Sequence, residues 1–197
     1  LEEDTARSQH DKGDMSLVDF NRAGVPLMEL VTEPVIHDAK TAGNFAKELQ
    51  LLLRTLGISD ANMEKGEMRV EANISISADD SLGTKVEVKN LNSFKSVEGA
   101  IAFEIERQKE LLEKGETIMQ ETRGWDEVKG KTFSQRSKET AKDYRYFPEP
   151  DIPPLTFTLE EIEAVRKTLP ELPTAKKERY KKDYNLDMDS ISILLAD

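Results

Sequence analysis

From Met68 to Ser77 apolar and polar residues alternate. Val70, Ala72, Ile74 and Ile76 fall on one face and Arg69, Glu71, Asn73 and Ser75 on the other, the period of two that predicts a half-buried strand. Thr84 to Leu91 repeats the pattern, with Val86 and Val88 opposed to Lys85, Glu87 and Lys89. If the two strands form a hairpin with both apolar faces on one side, the polar odd positions must pair odd with odd. The connection around Asp79 to Gly83 then holds an odd number of residues, or a bulge intervenes. Glu71, Asn73 and Glu87 are thereby expected to crowd one surface.

Helical spacing takes over elsewhere. Phe45, Leu49, Leu52, Leu53 and Leu56 line one side of Ala39 to Leu56, with Asp38 as N-cap and Gly57 past the end, which predicts an amphipathic helix. Ser96 to Lys114 carries Val97, Ile101, Ile105 and Leu112 near the same spacing, with Gly115 after it, and predicts a second. Ser16 to Asn21 and Leu27 to Glu33 read as short strands separated by Gly24 and Pro26, and Thr117 to Trp125 with Lys131 to Arg136 as a hairpin across Gly130. Antiparallel strands with interspersed helices predict an α+β fold rather than a parallel doubly wound sheet.

Composition shifts at the proline-rich stretch Phe147 to Leu155. Beyond it, Thr158 and Glu161 form a capping box ahead of Ile162, Val165 and Leu169, and the remainder reads as short helices broken at Pro170, Pro173 and Asn185. This places a domain boundary near residue 157. Residues 1–157 form the main unit, and 158–197 open a helical domain too short to bury its own apolar faces. The chain starts at Leu1, inside a charged motif, and is read as truncated.

With 197 residues and 37% hydrophobic content the chain can build one sizeable core. No apolar run approaches the ~20 residues that span a bilayer, and the N-terminus lacks the order of a signal peptide. A cytoplasmic protein with no membrane partner is expected. The absence of cysteine excludes disulfides, thiolate metal cages and cysteine nucleophiles. Only His10 and His37 can lend imidazole, and both lie in polar, loop-like surroundings that read as exposed surface. The net charge of −11 and a pI near 4.9 argue against a broad phosphate-binding face, so any contact with RNA is expected to be local.

The acidic run Leu1 to Asp4 reads as a solvated strand end rather than a metal site. Glu71 and Glu87 admit two readings. Carboxylates on the polar face of a sheet are often its wet side, yet hard oxygen ligands converging on one surface are what Mg²⁺ prefers, and with ATP it needs few protein ligands. Lys85, Lys89 and Arg69 stand beside them to hold phosphate oxygens. No glycine-rich phosphate cradle is present, so an ATP site must be built on a sheet. Asp143 to Asp151, aromatic then proline-rich, reads as a rigid connection between domains rather than a substrate loop.

Several long blocks, in order, carry a resemblance. They are Val18 to Leu30 (VDFNRAGVPLMEL), Leu1 to Asp4, Met63 to Arg69, Lys89 to Phe94, Gln120 to Arg123 and Asp143 to Asp151. The chain resembles, over nearly its whole length, the B/E subunits of tRNA-dependent amidotransferases. The resemblance implies an antiparallel-sheet cradle of the glutamine synthetase and guanidino kinase catalytic type. It also implies a ligase that uses ATP and Mg²⁺ to phosphorylate the side-chain carboxylate of misacylated Glu-tRNA(Gln) or Asp-tRNA(Asn). Ammonia released from glutamine by an A-type amidase subunit then arrives through a channel, and a small C-type subunit joins the two. Carried over by position, Glu3, Glu71 and Glu87 are the expected Mg²⁺ ligands, and Glu71, Glu87, Lys89 and Arg69 the catalytic groups. Lys85, Asn73 and Arg145 are the expected nucleotide contacts, and Asp151 lies on the channel side.

Two positions depart from the family pattern. Many members have aspartate where Glu71 stands, and the usual Glu-Pro-Asp triplet reads Glu33-Pro34-Val35. The family's N-terminal metal-binding part and C-terminal tRNA-gripping tail lie outside these residues, so the chain alone is expected to be inactive. The rival within the family, the archaeal E type, carries a large insertion before the helical region. Asp151 runs on to Thr158 to Leu169 without one, which favours the B type. A non-catalytic tRNA-binding or assembly module is the rival from another class, and the charge of −11 speaks against a general RNA binder.

Overall fold

The computed structural model describes residues 1–12, 15–79, 81–137 and 148–196, and the chain divides into two compact units. The first joins Leu1–Val35 to Lys142–Ala164, the second Ile36–Ala141 to Val165–Asp197. The fold is mixed α+β.

The first unit opens with four short strands, β1 (Glu2–Glu3), β2 (Arg7–Lys12), β3 (Met15–Asp19) and β4 (Pro26–Leu27). β1 pairs antiparallel with β4, Glu3 opposite Pro26, and β2 with β3, Arg7 opposite Asp19. Of the two expected strands, the first is β3, but the second is a strand only at Pro26–Leu27. Its partner β1 is two residues long, so the ladder ends with it. β2 escaped the sequence reading because RSQHDK has no apolar alternation.

The acidic opening is a strand end on which Leu1 and Glu3 are exposed, as expected, while Asp4 is tied down. Arg22 Nε donates to Asp4 Oδ2 at 2.8 Å, the Asp4 N–H donates to the Val25 carbonyl at 2.9 Å, and the Gly24 N–H donates to the Asp4 carbonyl at 3.0 Å. This close turn needs Gly24, whose φ of +78° penalises any side chain.

The second unit begins with α1 (Ala39–Thr55), in which the Asp38 carboxylate accepts from Thr41 N at 2.8 Å, as an N-cap should. Then follow β5 (Val70–Ile74), β6 (Val86–Leu91), α2 (Phe94–Glu113), β7 (Glu121–Asp126) and β8 (Lys131–Ser137). The four strands form one sheet in the order β5-β6-β7-β8. β5 and β6 are antiparallel with Ala72 opposite Val88, Asn73 opposite Glu87 and Ile74 opposite Val86, so the odd-with-odd pairing is realised.

The sheet is not wholly antiparallel. β6 and β7 run parallel, Glu87 beside Thr122 and Lys89 beside Gly124. The reason is α2, which carries the chain back between β6 and β7 so that both strands run the same way. The core lies between the sheet and α2, where Met63, Ala72, Ile74, Val88, Leu91, Val97, Ala100 and Ile101 form one buried cluster.

Past residue 157, the capping box is present. Glu161 Oε2 accepts from Thr158 N at 2.8 Å, and Glu161 N donates to Thr158 Oγ1 at 3.2 Å. It starts α3 (Leu159–Thr168), which has no buried residue. α4 (Pro173–Tyr184) starts on Pro173 and ends at Asn185 in the left-handed conformation, and α5 (Met188–Ala196) follows. Within the second unit Lys177 pairs with Glu48 of α1, and Ile191 of α5 is fully buried. None of the described helices is long and apolar enough to cross a membrane.

Candidate functional site

One face of the four-stranded sheet packs on α2 and the other presents polar side chains. Period-two alternation sends Val88 into the core and leaves Glu87 and Lys89 on the opposite face. Lys89 Nζ lies 3.2 Å from Glu71 Oε2 and 3.5 Å from Glu87 Oε1, so one ammonium bridges carboxylates of two strands. Partial burial works against that ammonium, but Glu71 and then Glu87 outweigh it and hold the Lys89 pKa above its ordinary value. Thr122 of β7 donates its hydroxyl to Glu87 Oε2 at 2.8 Å and fixes the second carboxylate oxygen. Asn73 lies opposite Glu87 in the register, and the ring of Phe133 fills the space that a side chain at Gly124 would take.

The geometry depends on a bulge. Val70 pairs with Leu91 and Ala72 with Val88, so Lys89 and Asn90 together oppose Glu71 alone. Asn90 has a φ of 62°, in the left-handed region that Asn tolerates better than most residues. The extra residue resets the alternation, so Leu91 turns inward and is buried although it shares its parity with Glu87 and Lys89.

Glu71 and Glu87 thus meet at a position already held by a cation, with hard oxygen donors. That fits Mg²⁺ in donor chemistry, since the ion keeps waters and phosphate oxygens for its remaining positions. Among the described residues no group of three or more His, Asp or Glu side chains converges for a metal. Glu3 belongs to the first unit, exposed in β1, with its carboxylate near Gly24. Lys85 is exposed just before β6, and Arg69 is exposed just before β5. Asp151 is exposed in a turn of the first unit, and Arg145, with the rest of Asp143 to Phe147, lies outside the described residues.

Beneath the sheet lies a polar cluster that the sequence reading missed. Glu104 of α2 is fully buried, accepts from Arg107 Nη2 at Oε2 at 2.8 Å and from Arg107 Nε at Oε1 and Oε2 at 2.9 and 3.1 Å, and faces Arg123 Nε at 3.1 Å. Thr132 also donates its hydroxyl to Glu104 Oε1. Burial pushes the Glu104 carboxyl up, but Arg107, Thr132 and Gln108 together hold it below the ordinary glutamate value. Arg123 and Thr122 are neighbours on β7. One strand therefore anchors in this buried cluster through one residue and holds Glu87 with the next. A signal existed in the helix pattern, because Glu104 and Gln108 continue the inward stripe of Val97 and Ile101.

Comparison with known proteins gives a consistent picture. A family described as the GatB/GatE catalytic domain matches residues 1–163. The B subunit of the aspartyl/glutamyl-tRNA(Asn/Gln) amidotransferase of Persephonella marina is 51% identical, over 100% of this chain and 42% of the relative. Its counterpart in Ruminiclostridium cellulolyticum is 50% identical over 100% and 41%, and that in a Picosynechococcus species 47% identical over 100% and 41%. The chain thus spans about two fifths of the length of these relatives. With a family match over most of its residues and whole-chain identity near one half, the chain belongs to the GatB/GatE catalytic-domain family.

Proposed function

We propose that this chain is part of a B-type subunit that activates the side-chain carboxylate of Glu-tRNA(Gln) or Asp-tRNA(Asn) with ATP and amidates it with ammonia. The observation that carries the reading is the convergence of Glu71 and Glu87 on Lys89, on the open face of a sheet with no glycine-rich cradle. Such a face also supports a cradle of the glutamine synthetase type. The partners in this reading are an A-type amidase subunit, a small C-type subunit, and the misacylated tRNA, in the cytoplasm.

A carboxylate is a poor acyl donor. Its oxygen displaces ADP from the γ-phosphorus of ATP, and ammonia then displaces phosphate from the acyl phosphate to leave the amide. Glu71 and Glu87 are the residues that would hold Mg²⁺, with Glu3 as a further proposed ligand, and the ion would offset charge on the phosphoryl oxygens. Lys89, held between the two carboxylates, supplies a fixed positive charge beside the transferring phosphoryl group. Thr122 keeps Glu87 from rotating, and Arg69 adds a second cation. Lys85, Asn73 and Arg145 are the proposed nucleotide contacts, and Asp151 the proposed channel residue. A closed site and a channel matter because ammonia in water at neutral pH is mostly ammonium and an acyl phosphate hydrolyses.

The test is single-turnover transfer of ³²P from ATP in the full-length protein assembled with its partners, using misacylated tRNA. Loss of acyl phosphate in Lys89→Met, with glutamine hydrolysis intact, supports the reading. Unchanged phosphate transfer would remove the site from the mechanism.

A further inference from the structure

A hollow of about 150 Å³ opens beside Glu71, lined by Met63, Gly66, Arg69, Asn90 and Asn92, with Val70 and Leu91 at its base. Its wall is a self-braced loop. Gly66 N donates to the Met63 carbonyl at 3.1 Å, Glu67 N to the Asn62 carbonyl at 2.9 Å and Lys65 N to Asn62 Oδ1 at 3.1 Å, while Gln50 of α1 ties the Ala61 carbonyl at 2.7 Å. The opposite wall is the bulge, where Asn90 leaves the ladder in its left-handed conformation. Backbone of this kind is held against its preference by its surroundings and gathers where a ligand is clamped.

The lining has a definite electrical character: one guanidinium, one carboxylate and two side-chain amides over an apolar base. Arg69 makes no ion pair or hydrogen bond with the described residues, so its donors are open to a ligand. Glu71 meets Lys89 through Oε2, which leaves Oε1 for a donor. The hollow is smaller than the roughly 300–1,000 Å³ of sites that hold whole cofactors. A phosphate dianion with no metal beside it is disfavoured next to Glu71, and the hollow is lined by side chains rather than by a backbone N–H cradle.

Resting on the function proposed above, we infer that this hollow receives the acidic aminoacyl head of the substrate. Arg69 takes the side-chain carboxylate in a two-pronged contact, Asn90 and Asn92 supply further polar contacts, and Glu71 faces the α-ammonium. The apolar base accepts the methylenes between them. This places the carboxylate to be activated at the rim of the Glu71–Lys89–Glu87 cluster, where phosphoryl transfer is proposed.

The test is residue-resolved NMR of the full-length protein assembled with its partners, titrated with L-glutamate α-methyl ester, which carries an ammonium and a γ-carboxylate but no free α-carboxylate. The L-glutamine ester and inorganic phosphate serve as separate arms. The expected result is that the glutamate ester shifts signals of Arg69, Asn90 and Asn92. The glutamine ester should bind at least about tenfold more weakly, as loss of one charge-assisted pair dictates, and Arg69→Met should abolish the difference between the two esters. Asn90→Gly, which keeps the backbone and deletes the amide, should weaken binding without changing the fold. Stronger shifts from phosphate than from the glutamate ester, equal binding of the two esters, or no shift at these residues would each overturn the assignment. Mg²⁺ with ATP, titrated in the same samples, reports separately on Glu87 and Lys89, which do not line the hollow. ATP binding there without ester binding removes the hollow alone, and ester binding without ATP binding removes the phosphoryl-transfer reading alone.

Discussion

Val88 and Leu91 both point into the core, at 0% and 1% exposure, although residues three apart in an unbroken strand face opposite sides. The bulge at Asn90 reconciles them, and it leaves Lys89 on the polar face against both carboxylates. The left-handed φ at this one residue is therefore a structural requirement. Asn90→Ala is expected to cost about 1–2 kcal/mol, since an ordinary side chain resists this conformation, whereas Asn90→Gly should be near neutral. Urea unfolding of the two variants checks this, and equal stability would mean that the bulge relaxes.

Glu71→Gln and Glu87→Gln keep volume and remove charge. In the complete assembly each is expected to lower acyl-phosphate formation by roughly 10²-fold or more, with glutamine hydrolysis retained. Lys89 neutralises the pair, so relief of repulsion does not stabilise the mutants. Glu71, nearly half exposed, should lose little stability, and Glu87, bonded to Thr122 as well, should lose more, up to about 1 kcal/mol. Thermal melts beside the transfer assay separate the two effects. Gross unfolding would assign both carboxylates to structure.

The Glu104 cluster sets an acid limit. Its carboxyl lies below the ordinary glutamate value in the folded chain, so its contribution to stability is complete above that ordinary value and is lost as pH falls through the folded pKa. Glu104→Gln should therefore destabilise the protein at pH 7 and flatten the decline below about pH 5. Glu104→Ala, which leaves Arg107 and Arg123 facing a buried void, should cost about 3–5 kcal/mol. Denaturation midpoints between pH 3 and 7 decide, and a parallel pH profile in Glu104→Gln would show that another group sets the limit.

The division expected near residue 157 bears on autonomy of folding. α3 has no buried residue, α4 meets α1 through Lys177 with Glu48, and α5 buries Ile191 and Leu195. Limited proteolysis is expected to cut between 157 and 170 before it touches the sheet. Ile191→Ala, emptying a fully buried position, should lower the cost of local opening of α4 and α5 by about 2–4 kcal/mol. Digestion that removes sheet and tail at the same rate would show one cooperative unit.

Much of this was written in the sequence. The alternation from Val70 to Ile74 and from Val86 to Val88 fixed which side chains face outward, and Asp38, Gly57, Thr158, Pro173 and Asn185 marked helix ends, because these signals are local and cost little context to read. The long ordered blocks fixed the family. What tertiary structure alone decided are the relations between distant segments. The parallel pairing of β6 with β7 depends on how α2 returns, the polar strand β2 on its neighbour β3, and the bond from Thr122 to Glu87 on both strands being in place. Glu104 looks like a surface charge until Arg107, Arg123 and Thr132 are brought around it, since a buried carboxylate is tolerated only by its partners, and those come from three separate elements.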